Sequence, residues 1–86
     1  MMTPIRLPKF GWIGMPRCRN KVWLGRWYKS NGSHVKANEV IAVVETPKVD
    51  IKITSPAAGI LFWMKKSNTR LHMLDVLGVV LDNVTA

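Results

Sequence analysis

Cysteine is nearly absent: Cys18 is the only one among 86 residues. That excludes a disulfide within the chain and a cysteine-rich zinc site. It also fits a reducing compartment. Acidic residues are scarce as well. Five Asp and Glu stand against 13 Lys and Arg, for a formal net charge of +8, and none precedes Glu39. Residues 1–36 carry Arg6, Lys9, Arg17, Arg19, Lys21, Arg26, Lys29 and Lys36, whereas residues 37–86 carry five charges of each sign. Such an asymmetry suggests an acidic protein, nucleic acid or an anionic lipid surface as partner. Long hydrophobic runs are missing. The longest clean one is Val40-Ile41-Ala42-Val43-Val44, so neither a membrane span nor a signal-peptide core is expected. No window keeps a 3.6-residue apolar stripe between caps, so no helix is expected. The length itself predicts a single domain over residues 1–86, whose small core leaves no room for a large active site.

What is present reads as β-structure. Val40 to Glu45 is a dense β-branched run, the pattern of a strand buried on both faces. Val49-Asp50-Ile51-Lys52-Ile53-Thr54 alternates apolar and polar residues, the mark of a half-exposed strand. Ser55-Pro56-Ala57-Ala58-Gly59 is a turn cluster, and Ile60 to Met64 and Asp75 to Leu81 are further apolar strands. Five to eight short strands with frequent turns predict an all-β sandwich or barrel.

An internal repeat sharpens this expectation. At a constant offset of 36, Gly32 falls on Asn68, Val35 on Leu71 and Glu39 on Asp75. Val40-Ile41-Ala42-Val43-Val44 then falls on Val76-Leu77-Gly78-Val79-Val80. Gly and Asn tolerate positive φ best, so Gly32 and Asn68 should both occupy turns. Two like halves facing each other would bury their apolar strands in one shared core. Between the halves, Glu45-Thr46-Pro47-Lys48-Val49-Asp50 joins a buried strand directly to an alternating one. That predicts a tight β-turn with Pro47 in its second position and Lys48 in its third, at the tip.

Five segments, taken in order, match one known pattern. They are Ile5-Arg6-Leu7-Pro8-Lys9-Phe10-Gly11, Leu24-Gly25-Arg26-Trp27-Tyr28-Lys29, Gly32-Ser33-His34-Val35-Lys36-Ala37-Asn38-Glu39, Glu45-Thr46-Pro47-Lys48 and Ser55-Pro56-Ala57-Ala58-Gly59. On these the chain resembles the biotinyl/lipoyl attachment domain over about residues 4–82. The closest likeness is to the lipoyl domain of 2-oxo acid dehydrogenase complex acyltransferases. Pro47 stands where the family has an acidic residue, and Ser33 and Thr69 replace the aspartates of its Gly-Asp turns. Between Gly11 and Leu24 the chain holds about five residues more than the pattern, in a basic, aromatic insert, about residues 12–23, that contains Trp12, Cys18 and Trp23.

The resemblance implies a flattened β-barrel or sandwich of two antiparallel sheets with quasi-two-fold symmetry, a barrel-sandwich hybrid. It implies lipoate joined covalently to Lys48 as an amide. Glu45, Thr46, Pro47 and Val49 would frame the recognition turn. Biotin is disfavoured, because biotin carriers place methionines on both sides of the lysine and here Pro47 and Val49 stand there. The implied partners are a lipoate-attaching enzyme, a thiamine-dependent dehydrogenase, an acyltransferase core and a flavin-dependent dihydrolipoyl dehydrogenase. The setting would be the cytoplasm or the mitochondrial matrix. The domain would be a non-catalytic carrier, alone or within an acyltransferase chain.

A second reading comes from the charge. It is an unmodified lipoyl-like binding module whose basic first half docks an acidic protein, nucleic acid or an anionic surface. Trp12 and Trp23 among Arg and Lys would then stack on bases. Trp27 and Trp63 fall in strands and are expected in the core. Glu45 and Asp50 bracket the turn, but a hairpin base offers no pocket for acid–base catalysis. His34 and His72 lie without a ligand pattern around them, so no metal site is expected.

Overall fold

The computed structural model describes residues 2–7, 22–47, 49–72 and 75–82. Eight strands run through them: β1 (Met2–Arg6), β2 (Trp23–Trp27), β3 (His34–Val35), β4 (Val40–Glu45), β5 (Asp50–Thr54), β6 (Gly59–Trp63), β7 (Thr69–Arg70) and β8 (Val76–Leu81). They form two four-stranded sheets, ordered β1-β8-β6-β3 and β5-β4-β2-β7. Every pairing is antiparallel. Replacing each strand by the one four places on turns the first order into the second, so the sandwich has the expected quasi-two-fold symmetry. No helix among the described residues is long and apolar enough to cross a membrane.

The offset of 36 extends beyond the segment in which the sequence shows it. It carries β2 onto β6 and β4 onto β8. Gly32 and Asn68 both have positive φ, 87° and 67°. Each opens a turn whose amide is used across the fold: Gly32 N–H donates to Leu61 O at 2.7 Å and Asn68 N–H to Leu24 O at 2.6 Å. The buried Val35 and Leu71 follow at the same spacing.

Glu39 and Asp75 act alike in the next turn of each half. Glu39 Oε1 accepts from Lys36 N–H at 2.8 Å, and Asp75 Oδ2 accepts from His72 N–H at 2.9 Å. The same carboxylates pair with Lys29 (3.3 Å) and Lys65 (3.9 Å), again 36 apart. The Lys36 amide, and then the Lys29 ammonium, hold the Glu39 carboxyl below the ordinary carboxylate value.

The centre of the symmetry is a tryptophan pair. Trp27 and Trp63 stack with centroids 5.6 Å apart and planes 10° from parallel. Each indole donates to the lysine carbonyl two residues beyond the other: Trp27 Nε1–H to Lys65 O at 2.8 Å, and Trp63 Nε1–H to Lys29 O at 3.2 Å. Both polar handles are thereby satisfied where the rings pack together. Trp27 is buried and Trp63 half-buried.

Around this pair lie Ile5, Leu24, Val35, Ile41, Ala42, Val44, Ile51, Ile53, Leu61, Leu71, Leu77 and Val80 in one cluster. Burying an aliphatic side chain of this kind contributes about 1.5–3 kcal/mol. A register shift in β4 between Val40 and Ala42 lets the consecutive residues Ile41 and Ala42 both join the core. Val43 is buried on the outer face instead, between its register partners Arg26 and Lys52. The strand is thus covered on both faces, as its composition predicts. Ile51 and Ile53 are buried while Asp50, Lys52 and Thr54 are exposed, the alternation read from β5.

Candidate functional site

The β4–β5 hairpin carries the turn singled out in the sequence. Val44 and Ile51 pair across its base and are both buried in the core, which fixes the strands. Glu45 and Asp50 form the last register pair and are exposed. Beyond them Thr46 and Val49 close the loop. Thr46 N–H donates to Val49 O at 3.1 Å, and Thr46 Oγ1–H donates to the same oxygen at 2.7 Å. Val49 N–H in turn donates to Thr46 Oγ1 at 3.1 Å. One hydroxyl therefore serves as donor and acceptor at the neck of the turn. Pro47, exposed, and Lys48 are the two residues between these clamped ends. Pro47 presets φ near −65°. Val49 is 57% exposed, so both neighbours of position 48 face solvent. Lys48 itself lies outside the described residues, as do Cys18, Trp12 and residues 12–21 of the insert.

The last two residues of the insert belong to the sandwich. Val22 is buried in the core, and Trp23 opens β2. Trp23 pairs with Glu45 on one side and Arg70 on the other. A row therefore crosses the outer face of the second sheet beside the hairpin: Asp50, Glu45, Trp23, Arg70. The Arg70 guanidinium lies 5.5 Å from the centroid of the Trp23 ring, and that of Arg26 5.4 Å from the Tyr28 ring. Each such contact contributes about 0.5–1 kcal/mol at an exposed site.

The sequence reading places Trp23 in the basic insert. Cross-strand register makes it part of this face, and nothing in a linear pattern announces register between strands so far apart in the chain. Glu45 and Asp50 come together as predicted, on an open surface. His34 and His72 lie at the edges of different sheets, on β3 and beyond β7. Among the described residues no three His, Cys, Asp or Glu side chains gather as a metal site would require.

Comparison with known proteins yields a consistent family. The Biotin_lipoyl family model, described as "Biotin-requiring enzyme", matches residues 4–77. The dihydrolipoyllysine-residue succinyltransferase component of the 2-oxoglutarate dehydrogenase complex of Bartonella vinsonii subsp. berkhoffii is 36% identical over 81 residues, 93% of this chain and 18% of its own. A probable mitochondrial protein of the same name from Schizosaccharomyces pombe is 39% identical over 69% of this chain and 12% of its own. The dihydrolipoyllysine-residue acetyltransferase component of the pyruvate dehydrogenase complex of Corynebacterium glutamicum is 35% identical over 79% of this chain and 10% of its own. The chain thus spans less than a fifth of the length of these relatives. The solution structure of the lipoyl domain of the 2-oxoglutarate dehydrogenase complex from Azotobacter vinelandii superposes with a TM-score of 0.72 at 25% identity, over 93% of this chain and 96% of that one. The doubled sandwich, the clamped central hairpin and the match over nearly the whole described chain lead to one assignment: the chain belongs to the biotinyl/lipoyl attachment family.

Proposed function

We propose that the chain is a lipoyl carrier domain, modified on Lys48, that serves acyl transfer in a 2-oxo acid dehydrogenase-type complex. The observation that carries this reading is the hairpin. A two-residue turn, Pro47 and Lys48, is held at its neck by Thr46 and Val49 on a base rooted in the core. A carrier needs a rigid pedestal, an exposed lysine and nothing overhanging it, and the residues flanking position 48 are exposed. Glu45, Thr46, Pro47 and Val49 would present the lysine to the attaching enzyme.

Lipoate supplies, when bound, a long arm ending in a redox-active dithiolane that carries acyl groups. The chain contributes tethering: a group fixed at Lys48 reaches successive active sites at high effective concentration. No pocket is needed for that, and the domain itself catalyses nothing in this reading. The partners would be a lipoate-attaching enzyme, a thiamine-dependent dehydrogenase, an acyltransferase core and a flavin-dependent dihydrolipoyl dehydrogenase. Lipoate is favoured over biotin because Pro47 and Val49, not methionines, flank Lys48.

Intact-mass measurement after co-expression with a lipoate ligase tests the reading. One lipoyl group is expected on the parent chain and none on Lys48→Arg. An unmodified parent, under conditions that load a known acceptor, would falsify it. A parallel reaction with a biotin ligase should leave the mass unchanged.

A further inference from the structure

Gly25 is the residue beside the hairpin that the carrier reading leaves without a task. It sits in a β-bulge, where the pairing of β2 with β4 shifts register between Leu24 and Arg26. Its φ is not left-handed, so backbone freedom does not explain a glycine here. Space does. The three heavy atoms nearest to where a Cβ would stand all belong to the Glu45 side chain: Oε1, closest of all, and Cδ and Cγ at 2.9 Å. Gly59 and Gly78 differ, because a Cβ on either would run into a backbone carbonyl oxygen, of Leu81 and Phe62 respectively. Among the described glycines, only at Gly25 is the space taken by the mobile end of a side chain from the candidate site.

The direction matters too. Glu45 pairs with Trp23, and Gly25 lies two residues farther along β2, away from the turn. The Glu45 carboxylate is therefore laid back over the bulge rather than forward over Pro47. With Pro47 in the place of an acidic residue, Glu45 and Asp50 are the only carboxylates in the segment 45–50. A carboxylate recognised through charge-assisted hydrogen bonds is recognised at a position, not merely by its charge.

We propose that Gly25 is a positioning residue for modification of the hairpin: by lacking a side chain it seats the Glu45 carboxylate in the orientation that the lipoate-attaching enzyme reads. The proposal rests on the carrier reading above. It predicts that a single methyl group at position 25 weakens attachment without touching the turn or the core, because what it displaces is a flexible side chain.

The test is a double-mutant cycle on the whole chain, reading kcat and KM for lipoylation by a lipoate ligase. Gly25→Ala should lower kcat/KM about tenfold, mainly through KM, the size of one lost charge-assisted contact. Glu45→Gln should lower it at least as much. The double variant should be no worse than Glu45→Gln alone. A parental rate for Gly25→Ala, or losses that multiply in the double variant, overturns the proposal. Thermal unfolding of each variant separates a lost fold from a lost contact.

An NMR titration of the unmodified chain reads the seat independently. The Gly25 amide shift should follow titration of the Glu45 carboxylate, and that response should vanish in Glu45→Gln. A Gly25 amide indifferent to Glu45 also overturns the proposal. A parent chain that takes no lipoyl group sinks the carrier reading, and the role in attachment with it. The titration then still reports whether Glu45 rests on Gly25.

Discussion

The two outer faces of the sandwich are equivalent by symmetry and opposite in chemistry. On the second sheet, the row beside the hairpin runs Asp50, Glu45, Trp23, Arg70, and the next runs Lys52, Val43, Arg26. The equivalent rows of the first sheet run Met2, Leu81, Ile60, His34 and Pro4, Val79, Phe62. There Met2 is 62% and Phe62 40% exposed, so the apolar surface is open. Inside, the halves agree: Ile41 with Leu77, Val44 with Val80, Val35 with Leu71 and Trp27 with Trp63 all line one core. The interior is shared, so each half constrains the other. An outer face meets only solvent or a partner, so it is free to diverge. The charged, aromatic face belongs to the sheet that carries the hairpin.

The largest effect should come from the shared interior. Trp27→Ala is expected to cost about 3–5 kcal/mol in urea unfolding, and Trp63→Ala less, because Trp63 is half-buried. Since each deletion removes the same stack, the double variant should cost less than the sum. Equal single losses would instead show that the stack outweighs the deeper burial of Trp27.

A smaller effect probes where the interiors differ. Ala42 and Gly78 occupy equivalent places, yet a Cβ on Gly78 would meet the Phe62 carbonyl oxygen and lie 3.2 Å from the Trp27 ring. Gly78→Ala should therefore lower stability by about 1–3 kcal/mol through overpacking. An unchanged unfolding midpoint would mean that this layer is no tighter than the one around Ala42.

The smallest effect concerns the paired turns. The folded state lowers the Glu39 carboxyl from its ordinary value of 4.5. Its contribution to stability is thus complete above that value and is lost as pH falls through the folded one. Glu39→Gln should flatten this part of the acid limb and leave the rest of the profile in place. An acid limb identical to the parent's would assign it to other carboxylates.

Much of the fold is legible in the linear pattern because it rests on local signals. The β-branched run at Val40–Glu45, the alternation through Ile51 and Ile53 and the positive-φ residues Gly32 and Asn68 each follow from the chemistry of a few neighbours. Pro47 within Glu45–Asp50 likewise announces a tight turn. What stays hidden depends on register. Trp23 and Arg70 are 47 positions apart and meet only because β2 lies between β4 and β7. Gly25 looks like an ordinary strand glycine until Glu45 is seen in the space that its side chain would fill.

The sequence by itself therefore determined the kind of elements, the doubling of the chain at an offset of 36 and the tight turn between Glu45 and Asp50. Periodicity and turn chemistry act over a few residues and need no partner to be read. Only the tertiary structure decided that the two tryptophans cap each other's lysine carbonyls, that Trp23 belongs to the hairpin face and that Glu45 lies back over Gly25. Those contacts join residues about 20 to 47 positions apart, and packing two sheets around one core is what brings them together.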